Sequence, residues 1–341
     1  MDYNRKEIVR LAHDVLHNTV RGNFSMDEAN DTLYKALVAA NNGKDYLDIR
    51  DMRDGKCSEL FAIIEEVISE TKHDILTSDP FFTNYVEYKN YEFGDKPEFN
   101  IEDDGLFVVS EIGSGSQAIR RQRMLGGRKL TVDTSWKAIK VYEEIELLLA
   151  GRADMARTID RVSRSFAADT IMRIYQAWGD AVSALAEPYS VTGSFDESKM
   201  VELIQHIKAT NGTREAYIMG TLVALNKVVA AHDSNAQIAL QSKYNTGISG
   251  MFNGTPKIEL LQAYKPGTTD FALANDEVFV LPGGMSNKPI KYVTEGRSMI
   301  LPRRFADNVD MTEEYTLMEK TGIAVVIPDG EGKFGHYKIS G

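Results

Sequence analysis

The sequence predicts an α+β protein, and three observations predict it. Apolar residues recur at helical spacing over the first 76 residues and again from Asp154 to Arg173. Between residues 196 and 285, helix-patterned and strand-patterned stretches alternate. From Asp276 to Ile339 the pattern is mostly that of strands.

A chain of 341 residues has room for about two domains, and 43% apolar with 26% charged residues is the make-up of a globular protein with a real core. The single cysteine, Cys57, excludes an internal disulfide and suits a reducing cytoplasm. No apolar run reaches the roughly 20 residues that cross a bilayer, so no membrane partner is expected. The opening MDYNRKEIVRLAHDVLH lacks the apolar core of a signal peptide, which makes a cytoplasmic location the expectation. A net charge of −11 argues against a surface that binds nucleic acid all over, because phosphate contact needs clustered Lys and Arg. Charge therefore has to be followed segment by segment.

Ile8, Leu11, Ala12, Val15 and Leu16 form the stripe of a first helix. Ser25-Met26-Asp27-Glu28 is the pattern of a capping box, opening a second helix with Leu33, Ala36 and Leu37 on one side. Asn41-Asn42-Gly43 ends that helix, and a third starts near Ser58 with Phe61, Ile64, Val67 and Ile68 apolar. These stripes are too narrow for a core of their own, so the region is expected to pack on something else.

From Pro80 to Trp136, Val86, Tyr88, Tyr91, Phe93, Phe99 and Ile101 suggest extended chain. Charge is sorted along it. Residues 87–111 carry eight acidic and two basic side chains, whereas residues 112–132 carry Arg120, Arg121, Arg123, Arg128 and Lys129 with no acid. Glycines at 113, 115, 126 and 127 interrupt it. The expectation is a long, polar, flexible β-hairpin with few core residues.

Met155, Ile159, Val162 and Phe166 then fall on one face of a long helix running towards Trp178, which should stop before Pro188. Arg157, Arg161 and Arg164 line the other face, either as a solvated surface or as one that meets a polyanion. A compact α/β unit follows, with a helix through Met200, Leu203, Ile204 and Ile207 and strands at Ala216–Met219 and Lys257–Leu261. Strands at 278–281, 290–293 and 324–327 complete the chain.

Chemistry-bearing motifs are weak. Gly113-Ser-Gly115-Ser-Gln-Ala118 matches a relaxed dinucleotide fingerprint and follows an apolar run, the basis of an alternative reading as a nucleotide-dependent oxidoreductase. That fingerprint needs an apolar-faced helix next, and here Ile-Arg-Arg-Gln-Arg-Met-Leu runs into Gly126-Gly127. His13 and His17 stand one helical turn apart, but beside Lys6 and Arg10, with Asp14 in place of the glutamate base of a zinc protease. Neither Ser114 nor Ser116 sits in GxSxG, there is no Walker sequence, and Cys57 has no neighbouring histidine. No catalytic, cofactor or metal residues are therefore assigned, and no enzyme activity is expected.

The order of parts and the local strings carry a resemblance instead. Phe107-Val-Val-Ser-Glu-Ile-Gly113, Ala118-Ile-Arg-Arg-Gln-Arg123, Thr131-Val-Asp-Thr-Ser-Trp136-Lys-Ala-Ile-Lys-Val-Tyr-Glu-Glu144, Leu149-Ala-Gly-Arg152 and Gly250-Met-Phe-Asn-Gly-Thr-Pro256 resemble the major capsid proteins of tailed bacteriophages, in a family from phages of Firmicutes. The resemblance runs from about residue 59 to the C-terminus and is weak over the first helices. It implies the tailed-phage capsid fold: an N-terminal helical arm (1–78), an extended β-hairpin loop (79–135), a peripheral domain with a long spine helix (136–192, with returning strands at 286–341) and an axial α/β domain (193–285).

It also implies partners. The subunit would assemble with itself into hexamers and pentamers of an icosahedral head around double-stranded DNA, with a portal and scaffold or decoration proteins. Arg120, Arg121, Arg123, Arg128 and Lys129 would make inter-subunit contacts, and Arg157, Arg161 and Arg164 would face the DNA. A nanocompartment shell of the same fold, enclosing an enzyme, is a further alternative.

Overall fold

The computed structural model describes residues 5–16, 25–45, 50–51, 54–101, 128–144, 155–230, 250–260, 262, 264–265, 268–285, 287–302, 312–327 and 333–340.

The N-terminal helices are α1 (Arg5–Leu16), α2 (Met26–Ala40), α3 (Ser58–Thr77) and the short α4 (Pro80–Tyr85). The capping box at Ser25 is present in full. Its hydroxyl accepts from the Glu28 N–H at 3.2 Å, and its own N–H donates to Glu28 Oε2 at 3.0 Å. Asp79 caps α4 by accepting from the Phe81 N–H, with Pro80 in the first turn where no N–H is needed.

A four-stranded sheet has the order β1 (Val86–Tyr91), β10 (Ile290–Pro302), β11 (Thr312–Val325), β4 (Ser135–Glu144). β1 lies parallel to β10 and the other pairs are antiparallel. The long helix α5 (Met155–Ser183) and α3 cover one face. Ile8, Leu33, Ile63 and Val67 of the N-terminal helices share one buried cluster with Val162 and Phe166 of α5 and Leu317 of β11. The narrow stripes thus find their partner within the same chain.

The second sheet has six strands in the order β5 (Ser190–Gly193), β12 (Gly335–Ile339), β9 (Glu277–Pro282), β6 (Ala216–Gly220), β8 (Thr255–Glu259), β7 (Met251–Phe252). α6 (Glu197–Thr210) buries Met200, Leu203, Ile204 and Ile207, which join Ile218, Val278 and Val280 of the sheet. The six-residue α7 (Leu222–Lys227) follows β6 and is capped by Thr221. Trp178 of α5 packs on Phe334, with ring centroids 4.0 Å apart, and on Phe279 of β9. One helix therefore serves both sheets, Phe166 facing the first core and Trp178 the second.

Strand pairing differs from the sequence expectation at two places. β1 lies in the stretch expected to be loop, yet it is an edge of the four-stranded sheet. β12 lies among the strands expected to return to that sheet, yet it pairs with β5 and β9 in the six-stranded one. Burial explains the second case. Gly335, His336 and Tyr337 are all buried, which suits an inner strand covered on both faces. A side chain at Gly335 would come within 2.9 Å of Leu203 on α6, so glycine is what lets the helix approach.

Candidate assembly surface

Within the stretch expected to form a polar hairpin, the described residues include a two-stranded ribbon. β2 (Glu98–Ile101) pairs antiparallel with β3 (Arg128–Thr131), with Phe99 opposite Leu130. Two strands alone are marginal, so the ribbon needs anchors. Phe99 is fully buried with Val132 and Val293. Two ammonium groups flank its ring, Lys89 Nζ at 4.3 Å and Lys291 Nζ at 5.6 Å from the centroid. Lys291 is itself buried in mid-sheet, donating to Glu87 Oε2 and to Asn287 Oδ1.

Both roots of the ribbon meet at one carboxylate. Glu295 of β10 accepts from the Gly94 N–H at 3.0 Å, just before β2, and from the Thr134 hydroxyl at 2.7 Å, just after β3. Lys320 of β11 lies 2.7 Å away. Lys320, Thr134 and the Gly94 amide hold this carboxyl far below the usual glutamate range, at about 2. Beside it Phe93 stacks on Trp136, with centroids 5.8 Å apart, and lies over Gly296, whose φ is +73°.

Further out the ribbon carries charge. Lys129 pairs with Glu98 across the two strands at 2.9 Å, and that contact holds the Glu98 carboxyl below its ordinary range. Arg128 is exposed. Arg120, Arg121 and Arg123, with the glycine motif at 113–118, lie outside the described residues. On α5, Arg161 and Arg164 are exposed on the side away from the buried Val162 and Phe166. The side chain of Arg157 lies outside the described residues, as do those of His13 and His17.

Among the described residues no group of three or more His, Cys, Asp or Glu could hold a metal ion, and no helix is long and apolar enough to cross a membrane. Cys57 is buried at the start of α3. Sequence reasoning missed Glu295 and the buried Lys291. Their one signal is the string Ile290-Lys-Tyr-Val-Thr-Glu-Gly296, in which charges interrupt an otherwise apolar strand.

Solved structures give the architecture a name. The capsid of a native GTA particle matches with a TM-score of 0.52 at 14% identity, covering 75% of this chain and 89% of that one. The satellite phage P4 procapsid gives 0.50 at 8% identity over 79% and 90%, and the cyanophage Pam1 capsid 0.50 at 10% over 78% and 93%. A search of the curated proteins gives no match. The fold is the capsid fold of tailed phages, and the class of protein is a shell-forming structural subunit. The chain belongs to the family described as "SPbeta prophage-derived putative capsid protein YonB", whose model matches residues 7–335. It is a virion component.

Proposed function

We propose that this subunit closes into hexamers and pentamers of an icosahedral head around double-stranded DNA, and that the charged ribbon is its main grip on neighbouring copies. The observation that carries the reading is the ribbon's root, where Glu295 and Phe99 fix both strands to the sheet. A firmly held base with exposed charge beyond it is built to present that charge to another molecule. Of the expected 79–135, the stretch 92–134 then acts as the extended loop, while α4 and β1 belong to the body of the subunit. The four-stranded sheet with α5 is the peripheral domain, and the six-stranded sheet, β12 included, is the axial domain.

Arg120, Arg121, Arg123 and Arg128 meet a neighbour's acidic surface, and Lys129 serves first to tie the ribbon to itself. Arg157, Arg161 and Arg164 face the packaged DNA. Portal and scaffold or decoration proteins complete the partner set, assembly takes place in the host cytoplasm, and the subunit carries no catalysis of its own.

The test is charge reversal. Arg120→Glu, Arg121→Glu and Arg123→Glu together should leave a folded subunit of normal helix content that fails to form closed particles under electron microscopy. Single exposed ion pairs contribute about 0–1 kcal/mol, so the effect depends on repetition around the shell and should weaken in high salt. Normal particles from the triple variant would overturn the role of the ribbon. Particles of wild-type protein filled with a protein cargo instead of DNA would favour the nanocompartment reading.

A further inference from the structure

β4 is the last strand of its sheet, ten residues long, and on its outer side no other strand pairs with it among the described residues. A long open edge is a liability that folds usually blunt with proline, a bulge or a cover. β4 reads Ser-Trp-Lys-Ala-Ile-Lys-Val-Tyr-Glu-Glu, without proline or glycine, and its ladder with β11 runs unbroken from Ser135 to Glu144.

Two further features suit a partner. On the face towards the helices, Ile139, Leu317 and Ile300 form a row in the core. The next row, on the opposite face, is Ala138, Met318 and Met299, and near it Leu301 is 51% exposed. The strand's charge is also divided, with Lys137 and Lys140 in its first half and Glu143 and Glu144 at its end. Two such strands side by side and antiparallel bring the lysine half of each to the glutamate half of the other. Lys140, near the middle, is already paired with Glu314 of β11, so no unpaired lysines meet at the centre.

We propose that β4 is a docking edge for β4 of a second copy, added antiparallel so that two four-stranded sheets become one continuous sheet across a twofold contact. The occupant follows from the charge pattern, which is complementary to itself only in the antiparallel sense. It follows also from the shell role on which the inference rests. A shell of identical subunits needs isologous contacts that join one ring to the next, and main-chain pairing at an edge supplies one.

Hydrogen exchange on the wild-type full-length chain tests this. In the free subunit, alternate amides of 135–144 should exchange fast, because among the described residues only one edge of the strand is bonded; in assembled particles the fast set should become protected. Separately, Lys140→Cys, which meets its own copy at the centre of the pairing, should give a disulfide-linked dimer under mild oxidation of particles. Asn90→Cys, on the opposite edge strand, should not, and the buried Cys57 does not compete. Particles that form normally while residues 135–144 exchange as in the free subunit overturn the pairing and leave the shell role standing. Equal cross-linking from Asn90→Cys also overturns it.

Discussion

Lys72 and Glu319 form a buried ion pair that ties α3 to the middle of the four-stranded sheet. Lys72 Nζ lies 2.8 and 2.7 Å from the two carboxylate oxygens and 2.9 Å from the Tyr292 hydroxyl. Burial works against the ammonium, but Tyr292 and Glu319 outweigh it and hold Lys72 above the usual lysine range. The N-terminal helices are therefore fixed to the shell-forming body by charge as well as by apolar packing.

Removing one partner should be costly. Glu319→Gln strands a buried ammonium and should lower subunit stability by about 3–5 kcal/mol. Lys72→Met with Glu319→Leu should recover most of that, since neither charge then remains to be desolvated. Urea unfolding of the subunit, followed by circular dichroism, checks both. A double variant no more stable than Glu319→Gln would contradict the account.

Acid should loosen the ribbon at its root. The Glu295 carboxyl stands at about 2 against an ordinary 4.5. A depressed carboxyl contributes stability that is complete above its unfolded value and is lost as pH falls towards its folded one. Protease cleavage between residues 92 and 134 should therefore accelerate as pH drops from about 4.5 towards 2. Glu295→Gln should be cleaved faster at neutral pH and show a smaller acid response. Equal acid responses in the two proteins would assign the effect to other carboxylates.

Phe99 carries the apolar half of the same anchor. Phe99→Ala should cost about 3–5 kcal/mol of attachment, the usual loss for a buried phenylalanine. Because, among the described residues, the cluster's fully buried members are Phe99, Val132 and Val293, the loss should stay local. Rapid exchange of the β2 and β3 amides with unchanged helix content is the expected result. A large fall in overall stability would show that the ribbon is part of the main core.

Gly296 should tolerate no side chain. A Cβ there would sit 2.1 Å from the Phe93 ring, and the residue holds φ +73°. Gly296→Ala should expel Phe93 from its stack on Trp136, seen as a change in tryptophan fluorescence and faster cleavage near residue 93. An unchanged emission spectrum would mean that the stack does not depend on this glycine.

Much of the architecture was legible because it rests on local pattern. The capping box at Ser25, the apolar stripes of α3 and α5, and the strands β6, β8 and β9 announce themselves within a few residues. Strand partners do not. β1 and β12 look alike in sequence, yet one joins the four-stranded sheet and the other the six-stranded sheet, and that choice is made by burial on both faces of β12. The ribbon was legible through its sorted charge, but its anchor was not. Glu295 stands about 200 residues after Gly94, and nothing local marks a carboxylate that will collect three donors from three segments.

The arginines of α5 give the last prediction. Arg161 and Arg164 are exposed opposite the buried Val162 and Phe166, in a chain whose net charge is −11. A basic face on an acidic protein has a natural partner in the phosphate backbone, which attracts charge without regard to base sequence. Arg161→Glu with Arg164→Glu should leave the fold intact, because neither side chain fills the core. Shells should still close, since the ribbon and the sheets lie elsewhere, but they should retain less nuclease-protected DNA. The deficit should shrink with salt, because the wild-type contacts to phosphate weaken when counterions are plentiful. Arg161→Lys with Arg164→Lys, which keeps the charge, should package normally. Full heads from the glutamate variant, with wild-type DNA content at every salt concentration, would make this face a solvated one.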